Sequence, residues 1–335
     1  MSSPHARPPG RRVIRITLGV VAVGVIASAG ALSVSRSTAA EDVSARLTLI
    51  APAGPGGGWD GFAREQQQAL RTAGLVGNVQ VVNIPGAAGT IGLSTFTTMT
   101  GESDTLLITG SGMTGGIALN DSPVGYDDVH PIARFAEDYD VIVVPADSPH
   151  TTLEELVDAW AADPGAMPWS GGSAGTIDHL LIAELAQTAG IPPAELTYIP
   201  KSGGGEAIQA LLNGTVDAVA TGYNDVSDQI DSGRVRALAV SSPQELDGID
   251  IPTITSQGYD VEVANWRGVL AAPGVSDDAL AQQLQILTDL RESDEWADVL
   301  ERMKWEDAWL TGPELDAFLD EDMARTQALL TELGL

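Results

Sequence analysis

Five turns of this chain place glycine or another small residue ahead of a helix-like segment. They read GPGGG at 54–58, GAAG at 86–89, GSGMTGG at 110–116, GGSAG at 171–175 and GGG at 203–205. Glycine lets backbone N–H groups approach a ligand closely. The first N–H groups of a helix have no intrahelical partner and carry partial positive charge. Such turns are built to capture an anion with the main chain. Ser173 and Thr176 add hydroxyl donors, and Lys201 is one of only two lysines in the protein. Ordinary strand-to-helix connection accounts for any one of these turns. Several of them in one chain favour a carboxylate-binding protein.

Three other chemistries fit parts of the sequence. GGSAG satisfies the G-x-S-x-G pattern of a hydrolase elbow, with Ser173 as nucleophile. That arrangement needs a histidine well after the serine. The only later one, His179, lies six residues on and inside the next helix, so a triad cannot close. GSGMTG at 110–115 matches G-x-G-x-x-G directly after an apolar run. The helix expected behind it is cut short by Asn120, Asp121 and Pro123, which favours a glycine-rich ligand loop over a dinucleotide site. A P-loop is excluded, because Gly-Lys occurs nowhere. The histidines at 130, 150 and 179 are far apart, and the DYD run at 138–140 lacks the order of a calcium loop. The sequence thus implies no metal and no cofactor.

Composition narrows the setting. The 335 residues are 44% hydrophobic and 19% charged, enough to fold around a substantial core. The absence of cysteine removes disulfides and thiolate chemistry. The formal charge of −29 conceals an asymmetry: residues 1–40 hold five arginines and no acid, leaving 12 basic against 46 acidic residues, or −34, in the remainder. A field of that sign repels nucleic acid and anionic membranes. The leader RPPGRRVIRI, the uncharged run from Ile16 to Val34 and the small residues ending at Ala40 read as an export signal. The apolar run is also near the length of an uncleaved N-terminal anchor. The body is then expected outside the cytoplasm, periplasmic or at the cell surface.

The turns must be positioned by the elements around them. Strand patterns at ARLTLIAP, NVQVVNIPG, DTLLITG and VIVVPADSP alternate with helical ones. MPWSGGSAG and LTYIPKSGGG then repeat the grammar, followed by VDAVATG and VRALAVSS. Thr152 and Glu155 form a capping-box pattern ahead of Leu153, Leu156, Val157 and Trp160 on one helical face. The tail reads as helical, with starts at Ser276, Ser293 and Thr311/Glu314. This alternation predicts an α/β protein with largely parallel sheets. Three of the glycine turns precede the strand at 141–144 and two follow it, so two lobes would face each other across a ligand cleft. The expected division is 43–148 with 262–335 in lobe 1 and 149–261 in lobe 2, with crossings near Val144–Pro149 and Val261–Gly268.

From about residue 45 to the C-terminus, five segments in order resemble the substrate-binding proteins of tripartite tricarboxylate transporters. They are PAGPGGGWDGFAR, NIPGAAGTIG, GGSAGTIDHLL, YIPKSGGGEAIQALLNGTVDA and NWRGVLAAPG. The resemblance implies a two-lobed periplasmic-binding-protein fold of the type II kind, with a ligand carboxylate held by main-chain N–H groups of both lobes. It implies delivery to a membrane permease of one large and one small subunit, by a monomer that is not an enzyme. Trp59 and the run Asn265–Gly268 look closer to the tricarboxylate-binding branch, making citrate or another di- or tricarboxylate the expected ligand. Carried over by motif, Gly58, Trp59, Ala87 and Ala88 serve the first lobe, and Ser173, Gly175 and Thr176 the second. Ser111, Lys201 and Arg267 join them by placement. A serine hydrolase at GGSAG and a carboxylate-sensing protein are the competing readings.

Overall fold

The computed structural model describes residues 43–201 and 203–335; the export-signal segment lies outside the described residues. The chain opens with β1 (Leu47–Ala51), α1 (Gly58–Thr72), β2 (Val79–Asn83), α2 (Thr90–Phe96), β3 (Thr105–Gly110) and α3 (Ser111–Leu119). It continues through β4 (His130–Pro145), α4 (Leu153–Ala162), β5 (Trp169–Gly171), α5 (Ile177–Thr188), β6 (Tyr198–Pro200) and α6 (Gly204–Leu212). Then come β7 (Ala218–Gly222), α7 (Tyr223–Asp231), β8 (Val235–Val240) and β9 (Ala264–Ala271). It closes with α8 (Asp277–Arg291), α9 (Asp294–Met303), β10 (Glu306–Thr311) and α10 (Gly312–Glu332).

Strand residues alternate between apolar clusters, as the two-residue period of a strand covered on both faces requires. In β1, Leu47, Leu49 and Ala51 join one cluster and Ile50 another. In β4, Ile142 and Val144 face one core while Val141 and Val143 face the next. Helices cover both sides of each sheet. α4 buries Leu153, Leu156, Val157 and Trp160, the face read from the sequence, and Trp160 packs on Trp169 with ring centroids 4.7 Å apart.

β4 belongs to two sheets. Its first part, through Tyr139, runs antiparallel to β9 and β10, completing the order β2-β1-β3-β9-β4-β10. From Asp140 onward it pairs with β7 and β8, giving β8-β4-β7-β5-β6. Ser241 pins this change of sheet. Its N–H donates to the Asp140 carbonyl (2.9 Å), its Oγ accepts from the Asp140 N–H (3.1 Å), and the same hydroxyl donates to the Val263 carbonyl (2.6 Å). The strand's change of sheet and the chain's return toward β9 thus share one buried serine.

The structure corrects several expectations. The sheets are parallel only at their outer strands, β1 with β2 and β3, and β5 with β6 and β7; the strands around β4 and β9 are antiparallel. The segment 110–116 is not an open loop, because Ser111 through Gly116 form the first turns of α3 behind Gly110. β10 interrupts the tail that reads as continuously helical. Thr152, Ser276 and Ser293 each cap a helix with their hydroxyl, whereas Thr311 occupies the cap of α10 without a side-chain bond to it. At α4 the box is shifted, since Glu155 accepts from the Thr151 N–H (2.6 Å) instead of that of Thr152.

Candidate functional site

α3 carries glycines at 112, 115 and 116, spaced to lie on one helical face. A Cβ on Gly112 would sit 3.1 Å from the Trp59 ring. One on Gly115 would overlap the Gly175 carbonyl, and one on Gly116 would sit 2.6 Å from the Ala88 carbonyl. A single bare helix face therefore receives three of the candidate turns: α1 through Trp59, the 86–89 turn through Ala88 and the 171–175 turn through Gly175. Interior glycines weaken a helix by about 1 kcal/mol each relative to alanine. Here they permit backbone-to-backbone approach that no side chain allows.

Each turn is fixed by its own hydrogen bonds. The GPGGG turn is held by Asp60, buried in the first turn of α1. Its carboxylate accepts from the Gly56 N–H, Arg64 Nε and Asn83 Nδ2, each at 2.8 Å. The Arg64 bond is the largest influence holding the Asp60 pKa down at about 2. The stability this contributes is complete above the ordinary carboxylate value and is lost as pH falls toward 2. Gly58 faces Arg267, whose Nη2 would lie 3.5 Å from a Cβ there.

The 86–89 turn is strained. Ala87 and Ala88 have φ of 47° and 49°, between Gly86 at 131° and Gly89 at 91°. Left-handed backbone costs an L-residue on the order of 1–2 kcal/mol. The Ala87 carbonyl is secured by Thr90 Oγ1 (2.9 Å) and Asn120 Nδ2 (3.3 Å). A Cβ at Gly89 would sit 2.9 Å from the Trp59 ring, so the same indole wedges this turn against α3.

In the 171–175 turn, Ser173 is exposed, and its carbonyl accepts from the Thr176 hydroxyl (2.7 Å) and N–H (3.2 Å). The Thr176 hydroxyl thus braces the turn. The Gly175 N–H donates to His179 Nδ1 (3.1 Å), and the imidazole stacks on Tyr198 with centroids 3.9 Å apart. Burial lowers the His179 pKa to about 4. With Nδ1 occupied as an acceptor, His179 shapes the turn as a neutral ring. Lys201 is tied to the same strand end by its N–H, which reaches the carbonyls of Gly171 and Gly172 at 3.2 Å.

Ser111, at the start of α3, donates to Asn265 Oδ1 (3.1 Å), linking that helix start to β9. Arg267 does not stand as a free cation. It is buried in an ion pair with Asp138: Nη1 stands 2.7 Å from Oδ1 and Nη2 donates to Oδ2 at 3.0 Å. The guanidinium also lies over the Trp305 ring, 5.0 Å from its centroid. The structure therefore brings Gly58, Trp59, Ala88, Ser111, Gly175 and Arg267 into one connected arrangement, with Ala87, Ser173, Thr176 and Lys201 in the turns that flank it. A separate cavity of about 290 Å³ lies against Trp266, Phe318, Arg134 and Glu262, and none of the ten candidates lines it.

Sequence reading gives no site role to Asp60, Asp138, Asp140 or Asp178, and names Asn265 only as part of the Asn265–Gly268 run. The DYD run was visible but reads as a solvated acidic face; only the pairing of Asp138 with β9 and of Asp140 with β7, and the burial of both, show that they point inward. Among the described residues no cluster of histidines and acids is arranged to hold a metal ion.

The comparisons with known proteins decide the family. Residues 62–335 match the model of the tripartite tricarboxylate transporter family receptor. The chain belongs to this receptor family. Protein BugT of Bordetella pertussis is 29% identical over 269 residues, covering 78% of this chain and 80% of its own. A TctC solute-binding protein from Polaromonas, solved without ligand, is 26% identical with a TM-score of 0.69, covering 87% of this chain and 99% of its own. Two R. palustris structures share the fold at 21% identity. One, with adipate, has a TM-score of 0.75 and covers 87% of this chain and 98% of its own; MatC, with malate, has 0.70 and covers 85% and 98%. The tripartite tricarboxylate receptor is a solute-binding protein with a two-lobed periplasmic-binding fold, not an enzyme.

Two outcomes test the geometry. Gly115→Ala should raise the helix propensity of α3 yet lower unfolding stability by about 1–2 kcal/mol, because overpacking against Gly175 outweighs the propensity gain; urea unfolding measures it. Arg267→Ala should cost about 3–5 kcal/mol by leaving Asp138 buried and unpaired, whereas the double change Arg267→Met with Asp138→Leu should recover most of that loss.

Proposed function

We propose that this receptor captures a small di- or tricarboxylate, such as citrate, in the cleft between its lobes and delivers it to a tripartite tricarboxylate transporter. One observation carries the reading: the glycine face of α3, on which Trp59, Ala88 and Gly175 converge. Helix starts at Gly58 and Ser111 supply N–H groups without requiring a free cation, joined from the 171–175 turn by those of Ser173 and Ala174, since the Gly172 and Gly175 N–H groups are bound to Asp178 and His179. The malate and adipate bound by same-fold proteins are compatible with this ligand class. The lobe division proposed is 43–148 with 262–335 against 149–261, working as an exported monomer docked to one large and one small membrane subunit. In this reading the N-terminal segment directs export or anchors the receptor beside that permease. Ser173, Gly175, Thr176 and Lys201 act from the second lobe, and Gly58, Trp59, Ala87, Ala88 and Ser111 from the first. Arg267 acts through Asp138, fixing β9 beside Gly58.

Calorimetric titration with citrate, malate and adipate tests this. At least one should bind, and Ser173→Ala should weaken it by about 1–2 kcal/mol, the cost of one charge-assisted hydrogen bond. Binding of none, or stoichiometric labelling of Ser173 by a serine-directed covalent probe, would overturn the reading.

A further inference from the structure

The ribbon formed by β4 and β9 has two faces, and the candidate anion site uses one of them. Asp138 pairs with Asn265 and Ala136 with Arg267; on this face Arg267 meets Asp138 and Asn265 accepts from Ser111. Strand alternation sends the intervening residues to the opposite face. There Glu137 pairs with Trp266 and Tyr139 with Ala264. A register shift between Arg134 and Ala136 turns Arg134 to the same side as Glu137.

α10 covers that opposite face. Phe318, Glu321, Asp322 and Arg325 recur at three- and four-residue spacing and so share one side of the helix. Leu315 and Leu319 hold the helix on Trp266, whose Nε1 donates to Asp322 Oδ2 at 3.0 Å. Between helix and ribbon lies the cavity of about 290 Å³. Its walls are the rings of Tyr139, Trp266 and Phe318, with one buried carboxylate, Asp322, and exposed ones at Glu262 and Glu321.

Charge decides what such a space would hold. The Arg134 guanidinium is already engaged: Nη2 meets Glu137, Cζ stands 4.3 Å from the Phe318 ring centroid, and Nε is buried out of reach. Glu137 also accepts from the Tyr139 hydroxyl at 2.7 Å. Arg325 lies 3.8 Å from Glu184 and reaches the Glu262 carbonyl at 3.5 Å. The acids are in surplus. Asp322 is 8% exposed, and among the described residues only one of its oxygens receives a hydrogen bond. The Glu262 and Glu321 carboxylates have no ion pair among the described residues. A buried carboxylate with an open oxygen calls for a donor. The charge of −34 beyond residue 40 draws cations toward it and repels anions.

We propose that this cavity is a second binding site, taking a small organic cation: a primary ammonium group on a compact apolar body. The ammonium donates to the open Asp322 oxygen and is held further by Glu262 and Glu321. The apolar body lies against Trp266, Phe318 and Tyr139. An ammonium suits the place because it brings three donors and no acceptor. A carboxylate would instead meet three acids, with both guanidinia turned to other partners. The volume falls at the lower edge of ligand pockets, which limits the body to about a single ring. The site is independent of the carboxylate function proposed above, since the ribbon separates the two and none of the ten candidate residues lines the cavity.

Benzylamine is the probe, with benzyl alcohol and benzoate as comparators of similar shape. Binding to the receptor is followed by calorimetry and by the proton–nitrogen NMR resonance of the Trp266 indole, assigned with Trp266→Phe. Benzylamine should bind with a Kd of about 1 mM or tighter at low salt and shift that resonance. Benzyl alcohol should bind at least about fivefold more weakly, and benzoate not at all. Asp322→Asn keeps an acceptor for the Trp266 N–H and should weaken benzylamine about tenfold or more. Glu321→Gln, at the exposed rim, should cost about two- to threefold. Asp158→Asn removes an equal charge from the exposed side of α4 and should leave the Kd within about twofold, which separates the cavity from the general field. The wild-type indole shift and Glu321→Gln keep the test decisive should Asp322→Asn fold poorly. Absence of benzylamine binding, an indole resonance unmoved by saturating amine, benzoate matching benzylamine, or undiminished binding in folded Asp322→Asn would each defeat the assignment.

Discussion

Much of the candidate site depends on one steric constraint, the bare face of α3. Gly112, Gly115 and Gly116 exclude side chains from a helix that packs simultaneously on Trp59, Ala88 and the Gly175 carbonyl. Trp59 contributes from the other direction, filling the space above Gly89 and Gly112. The helix pays for this in propensity, and tertiary contact replaces what local structure gives up. Segments distant in sequence are thereby located relative to one another by contact between backbones. Because those contacts have so little slack, a displacement of the 171–175 turn must also disturb its packing on α3.

The route between the sheets imposes the second constraint. β4 crosses from one sheet to the other between Tyr139 and Asp140, and Ser241 ties that point to the return segment. Charged residues belong at this junction because the strands there change partners. Asp138 still pairs with β9, where Arg267 meets it, while Asp140 pairs with Gly222 of β7. The alternation that assigns these two carboxylates to one side is ordinary strand geometry. Its consequence is that the first acid is answered by an arginine, whereas the second is buried with no donor to either oxygen among the described residues.

Much of the fold was legible in the sequence because its signals are local. Thr152, Ser276 and Ser293 cap the helices they precede, and the buried faces of α4 and α5 follow from apolar spacing. The failures have physical causes. HPIARFAEDYD does not read as a strand, since Arg134, Asp138 and Asp140 break its apolar alternation; Arg134 is matched by Glu137 and the Phe318 ring, and Asp138 by Arg267 of β9, none of which spacing encodes. GSGMTGG reads as a loop because helix propensity counts its glycines as breakers; their packing against Trp59, Ala88 and Gly175 is tertiary information. The candidate turns were legible as turns, yet the braces that shape them, Asp60, His179 and Asn265, were not. Each acts across a fold contact that spacing does not encode.

The charge distribution raises a problem for an anion receptor, since the chain beyond residue 40 carries −34. Long-range attraction cannot bring a carboxylate to such a surface, and at physiological salt the field decays within about 8 Å. The favourable contribution must therefore be short-range. Arg267 does not supply it directly, because its charge is matched by Asp138 within 3.0 Å and shielded by Trp305. In the site proposed above, what remains are helix-start N–H groups at Gly58 and Ser111 and the exposed turn at Ser173, dipoles that act only on a group already in contact. Such an arrangement discriminates by geometry more than by charge: an anion is held where its oxygens meet the donors, and elsewhere the acidic surface rejects it. The buried aspartates bear on this, since on the proposed reading every unneutralised buried charge near the donors subtracts from their dipoles. In the site proposed above, pairing Asp138 with Arg267 removes one such charge and favours reliance on backbone dipoles.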